Sequence, residues 1–204
     1  MSAAATPAPS DRSDFRTVTT GGAKLGVATA IAVVLFLAAA RHLPPGAGRA
    51  AVEALIVLAA AVAAAFLPAW WTAARGIEGI AGAAATGLVG AVVFSVIDVA
   101  VLRPLHAYPW TWDAIGGGSS WWYLPVWWML GTFLAWMGGI VTARRAATGA
   151  ASLASVAAPT VIAALALVAV ARVAVPGVAL PVATGGGFSV ALTALALLAL
   201  ARRG

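Results

Sequence analysis

Few ionisable side chains of this chain lie where they could do chemistry, and those that do are concentrated between residues 98 and 113. Asp98 is the acid that lies well inside an apolar segment. An intramembrane carboxylate is costly and marks a functional position by default, so Asp98 could handle a proton or bind a substrate. Near the membrane surface it could equally form a structural ion pair with Arg103, His106 or Arg172. The sequence leaves both interpretations of Asp98 open.

His106 and Asp113 flank a short aromatic stretch, and a histidine with a carboxylate could act as a general acid and base or bind a metal. A zinc site needs three or four ligands, whereas the chain has two histidines and no cysteine. The sequence also has no nucleophile elbow, P-loop or dinucleotide fingerprint. It therefore predicts no metal site and favours a non-catalytic protein over an enzyme.

Seven of the nine tryptophans lie between Asp98 and Trp136. Indole combines an apolar body with an N–H donor, so it favours the level of the lipid headgroups. These side chains could anchor the protein as an aromatic belt, or they could line a wall for a bound lipid, quinone or pigment. The six before Trp136 are Trp110, Trp112, Trp121, Trp122, Trp127 and Trp128.

Trp136 lies deeper than the others, roughly 21 Å below Trp122 at about 1.5 Å per helical residue. At that depth it is beyond an outer aromatic belt. The sequence therefore predicts that Trp136 packs in the protein core or touches a ligand.

The elements that must position these residues are membrane-spanning helices. Of the 204 residues, 63% are hydrophobic and only 9% are charged, whereas a soluble domain needs about a quarter charged residues. Six apolar segments approach or exceed the roughly 20 residues that cross a bilayer. They are residues 23–40, 51–71, 77–102, 122–143, 152–173 and 178–201. The predicted fold is an all-α polytopic membrane protein with six transmembrane helices in one bundle.

Residues 1–22 are predicted to form a disordered cytoplasmic tail, and residues 23–204 the transmembrane bundle. Within the bundle, residues 103–121 form a Trp-rich extracytoplasmic loop. An alternative is that the first apolar segment is a signal peptide cleaved after Ala38-Ala39-Ala40, which would leave five helices.

The basic residues indicate the orientation of the bundle. With the N-terminus inside, eight lysines and arginines fall on the inner side and four on the outer side, which favours two cytoplasmic termini in a bacterial plasma (inner) membrane. The net charge of +6 resides next to apolar segments, so it indicates topology and not a nucleic-acid partner.

Small residues recur at four-residue spacing in the third and fourth segments. Such patterns let helix backbones approach closely in lipid, so these two helices are predicted to form the close-packed centre. The residues are Gly79, Ala83, Gly87 and Ala91 in the third segment, and Gly131, Ala135 and Gly139 in the fourth.

These features favour a non-catalytic integral membrane subunit or assembly partner of a larger membrane complex. Its partners would be the lipid bilayer and other membrane subunits, and its Trp-rich outer region would contact a lipid, quinone or pigment. One alternative is a small transporter or channel that uses Asp98. A second is a membrane enzyme on a lipid-like substrate, with His106, Asp98 and Asp113 as acid–base groups.

Overall fold

The computed structural model describes residues 11–105, 107, 123–149 and 152–201. In these ranges it contains six helices long and apolar enough to cross a membrane, packed in a bundle, which confirms the predicted fold. The helices are α1 (Phe15–His42), α2 (Ala47–Trp71), α3 (Ile77–Ile97), α4 (Tyr123–Ala147), α5 (Leu153–Ala174) and α6 (Leu180–Ala201). A π-helical turn, Asp98–Leu102, extends α3.

The prediction of a disordered tail is wrong for residues 15–22, because α1 begins at Phe15. The helix is started by Asp14, whose carboxylate accepts from the Thr17 backbone N–H at 3.0 Å and from its hydroxyl at 2.6 Å. These two hydrogen bonds hold the pKa of Asp14 below its ordinary value, and the bond from the Thr17 hydroxyl has the larger effect. The cap therefore stabilises the fold fully when the pH is above the ordinary pKa of an aspartate. This stabilisation is lost as the pH falls through the lowered pKa of Asp14.

The segment before α1 is also held in place, through Asp11. Its carboxylate accepts backbone N–H groups from Arg75 (2.9 Å), Gly76 (2.9 Å) and Gly79 (2.9 Å), which belong to the turn before α3 and to its first residues. The Arg12 N–H donates to the Thr72 carbonyl at 2.8 Å. Because helix N-terminal N–H groups lack partners within the helix and carry partial positive charge, a carboxylate there is stabilising.

Replacing Asp11 by alanine is expected to destabilise the fold by about 1–3 kcal/mol, the range for a charged hydrogen-bond acceptor. Chemical unfolding in detergent would measure the loss. Arg12→Ala is the matched control, because the hydrogen bond at that position comes from the backbone. Equal stability of the two variants would contradict this role for Asp11.

The most extensive helix interfaces are those of α1 with α3, α3 with α4, and α5 with α6. α2 contacts all five other helices and so connects the two ends of the bundle. The main hydrophobic core lies among α2, α4, α5 and α6, where the rings of Phe66 and Phe188 meet edge to face at a centroid distance of 6.5 Å. Among the six helices, α3 and α4 have the largest buried fractions of their apolar stretches, 44% and 39%.

α3 and α4 meet along the small residues singled out in the sequence. A Cβ atom on Gly87 would lie 2.5 Å from both the Gly131 carbonyl oxygen and the Ala135 Cβ. A Cβ on Gly131 would lie 3.0 Å from that of Ala91. The two backbones therefore cross where only hydrogen atoms fit between them.

Further along the same seam, a Cβ on Gly139 would lie 3.4 Å from the Ala83 Cβ. Gly79 does not belong to this seam. A Cβ there would lie 2.7 Å from the Ala74 Cα and 2.8 Å from the Asp11 carboxyl carbon. Gly79 thus makes room for the capping carboxylate, which corrects its assignment to helix packing.

Candidate functional site

The buried ion pair at the end of α3 is the polar centre of the predicted site. Asp98 is 1% exposed, and its Oδ2 accepts from the Arg103 Nε at 3.2 Å. Of the partners considered for Asp98, Arg172 instead donates to the Val178 carbonyl. The structure thus brings Asp98 and Arg103 together, as one of the two interpretations of the sequence expected.

The pair depends on the π-helical turn. In an α-helix, side-chain neighbours are three or four residues apart, so residues 98 and 103 would point in different directions. In this turn the Arg103 N–H donates to the Asp98 carbonyl five residues back, at 3.0 Å. The wider turn carries the guanidinium over the carboxylate. Single π turns inside α-helices are frequent at functional sites.

Two tryptophans of α4 pack against α3 about one helical turn before Asp98. The Trp128 indole N–H donates to the Ser95 hydroxyl at 3.1 Å, and that hydroxyl donates to the Ala91 carbonyl at 2.8 Å. The Trp127 ring lies edge to face against Phe94 at a centroid distance of 5.5 Å. Trp127 and Trp128 therefore join α4 to α3, in addition to any role at the membrane surface.

Trp136 does not pack in the core, which corrects that part of its prediction. It is 49% exposed on the outer surface of the bundle, together with Met129, which is 71% exposed. The reason is helical geometry, because Ala135 faces α3 and the next residue is rotated by about 100° away from it. Trp136 is 13 residues from the start of α4 and 11 from its end, which places it near the middle of the span.

The other sequence-predicted site residues lie outside the described residues: His106, Trp110, Trp112, Asp113, Trp121 and Trp122. The acid–base pair and the outer aromatic wall therefore stay predictions. Among the described residues, no group of three or more His, Asp or Glu side chains could hold a metal ion.

Between α1, α2, α4 and α6 lies an apolar cavity of about 540 Å³ that was not predicted from the sequence. Its walls include Val33 of α1, Ala60 of α2, Trp127 of α4, and Gly185 and Gly186 of α6. The glycine run was visible in the sequence, but its position beside a cavity depends on how far apart four helices sit.

The described chain thus offers three features for function: a buried ion pair, an exposed indole at mid-membrane depth, and an apolar cavity. No protein-family model, curated protein or solved structure matches this chain.

Proposed function

We propose that the chain is a non-catalytic integral membrane subunit or assembly partner of a larger complex. It would lie in a bacterial plasma membrane with both termini in the cytoplasm, the orientation that the positive-inside rule favours. Its partner would be another membrane-spanning subunit that packs against α4.

The exposed indole of Trp136 carries this proposal. Its N–H lies near the middle of the span and has no hydrogen-bond partner among the described residues. In hydrocarbon there is no water to accept such a hydrogen bond, and an unsatisfied polar group there costs several kcal/mol. A neighbouring subunit can supply the missing acceptor.

The surroundings of Trp136 suit a helix partner. We define the α4 outer face as Met129, Thr132 and Trp136, which lie three or four residues apart along one side of the helix. The Thr132 hydroxyl donates within its own helix, to the Trp128 carbonyl at 2.7 Å, so it needs no hydrogen-bond acceptor from a partner. Methionine is adaptable and over-used at binding surfaces, and tryptophan is enriched at interaction hot spots.

Photocrosslinking in native membranes tests the proposal. A photoreactive amino acid at position 136 is expected to form a defined adduct with one protein. The matched control is position 162, where Ile162 is 68% exposed on a different helix, α5. The proposal fails if both positions give only lipid adducts.

A conservative substitution distinguishes the contribution of the indole N–H from that of the aromatic ring. Trp136→Phe keeps an aromatic side chain and removes the donor, so recovery of the crosslinked partner in pull-downs should fall about fivefold, as expected for one hydrogen bond of about 1 kcal/mol. The isolated chain should keep its thermal stability, because Trp136 makes no hydrogen bond within the described part of the chain. Unchanged recovery would contradict the role assigned to the indole N–H.

A further inference from the structure

A pocket at the end of α4 brings two arginines together. It has a volume of about 220 Å³ and lies between α4, α5 and α6. Arg144 and Arg145 form its polar wall, and its apolar wall includes Val141 of α4, Pro159 of α5 and Leu198 of α6. Adjacent residues of an α-helix point about 100° apart, so neighbouring arginines usually diverge. Here both side chains line the same pocket.

The helices around this pocket carry no acid that could neutralise the two arginines. From residue 114 to residue 204 the sequence contains no Asp or Glu, so α4, α5 and α6 are without carboxylate side chains. No ion pair or hydrogen bond joins the guanidinium group of Arg144 or Arg145 to another residue of the described chain. Both arginines are partly buried, where like charges repel more strongly than in water. The pocket therefore favours an anionic ligand.

The chemistry of the pocket wall favours a phosphate group as the anion. A guanidinium is a planar fork of N–H donors that matches the oxygens of a phosphate, and two of them can hold one phosphate from two sides. The volume of about 220 Å³ is below the roughly 300–1,000 Å³ of pockets that enclose a whole drug-sized ligand. The pocket thus has room for the charged head of a larger molecule.

The apolar wall indicates that the rest of this molecule is hydrocarbon. Val141 lies three residues before Arg144, which places it about 4.5 Å deeper along the membrane-spanning helix. Leu198 is 52% exposed near the end of α6, so the pocket opens sideways to the surroundings of the bundle, which in a membrane are lipid. A small soluble anion would leave this apolar wall without a partner. Basic pockets between membrane helices are a known site for anionic lipid headgroups.

We propose that the pocket binds one anionic membrane phospholipid, with its phosphate between Arg144 and Arg145 and an acyl chain along Val141 and Leu198. The lipid neutralises two charges for which the described chain supplies no counter-ion. The proposal concerns the isolated chain and needs no partner subunit, so it can fail while the proposed function stands.

Lipid retention by the purified full-length chain tests the proposal. The chain is reconstituted in nanodiscs of equal phosphatidylglycerol and phosphatidylcholine, extracted into detergent, and analysed by native mass spectrometry. We expect phosphatidylglycerol to be retained in preference to phosphatidylcholine. In the double variant Arg144→Gln with Arg145→Gln this preference should fall at least about tenfold, the effect of losing one hydrogen bond to a charged group.

The matched control removes two positive charges from the same end of the bundle. Arg12→Gln with Arg16→Gln serves this purpose, because Arg12 contacts the end of α2, which lies beside the last turns of α4. Both residues are exposed and lie outside the pocket, so this variant should keep the preference for phosphatidylglycerol. Equal losses in the two double variants would show a general attraction between charges and would overturn the proposal.

Thermal melting separates lipid binding from a structural role of the arginines. In phosphatidylcholine alone, the double glutamine variant should melt no lower than the original chain, because it lacks the repulsion between the two charges. Phosphatidylglycerol should raise the melting temperature of the original chain only, since a ligand that binds the folded state stabilises it. An equal rise in both would contradict the assigned site.

If the glutamine variant does not fold, Arg144→Lys with Arg145→Lys replaces it. This variant keeps both charges and loses the planar forks, so the preference should fall severalfold, and an unchanged preference would overturn the proposal. Inorganic phosphate distinguishes the source of the anion. Added to the chain in phosphatidylcholine nanodiscs, it should leave the melting temperature unchanged, whereas a rise equal to that with phosphatidylglycerol would replace the lipid by a soluble anion.

Discussion

Replacing Gly138 by alanine is expected to destabilise the folded bundle by about 4 kcal/mol or more, the range reserved for severe packing defects. A Cβ there would lie 1.9 Å from the Ala65 carbonyl oxygen and 2.5 Å from its carbonyl carbon. Both atoms belong to the backbone of α2, so no side-chain rotation relieves the contact. α2 and α4 would have to separate, and the packing around the fully buried Phe66 would be lost.

The adjacent glycine provides a matched control. A Cβ on Gly139 would lie 3.4 Å from its nearest neighbours, Ala83 Cβ and Ile80 Cα, which is a tight contact that small shifts accommodate. Gly139→Ala should therefore change stability by less than about 1 kcal/mol, since the better helix propensity of alanine offsets the crowding. Thermal melting and folded yield in detergent would compare the two. Equal behaviour would show that the α2–α4 crossing is looser than its geometry indicates.

Gly138 also shows that the sequence predicted only one of the packing faces of α4. The four-residue spacing of Gly131, Ala135 and Gly139 identified one packing face of α4, because residues at that spacing share a side of a helix. Gly138 lies outside that spacing and contacts α2 on another face. A second, shorter pattern, Gly22 with Gly26, packs α1 against α3 but begins inside the segment assigned to the tail.

The candidate site was predictable in the same partial way. Residue types pointed to Asp98 and to a nearby arginine, since a buried carboxylate needs a partner. The π turn that joins Asp98 to Arg103 was not predictable, because α-helical spacing places these residues on different faces. The surface position of Trp136 and the cavity beside Gly186 depend on helix rotation and separation, which hydropathy does not encode.

The ion pair is the second position where a large effect is expected. Arg103→Ala should destabilise the bundle by about 3–5 kcal/mol, because it leaves a buried charge without this partner. The opposite change, Asp98→Ala, should cost less. The Asp98 side chain is 2% exposed and cannot reach water, whereas that of Arg103 is 24% exposed and long enough to turn its guanidinium toward the membrane surface.

Unfolding in detergent would measure which single variant loses more stability. The double variant Asp98→Asn with Arg103→Gln should recover most of the lost stability, since it removes both charges together. Equal losses for the two single variants would contradict the asymmetry of burial. The recovered double variant then distinguishes the two interpretations of Asp98. If it still binds the partner captured at position 136, the pair acts to position the end of α3. A folded double variant that no longer binds that partner would instead assign the charge itself to assembly.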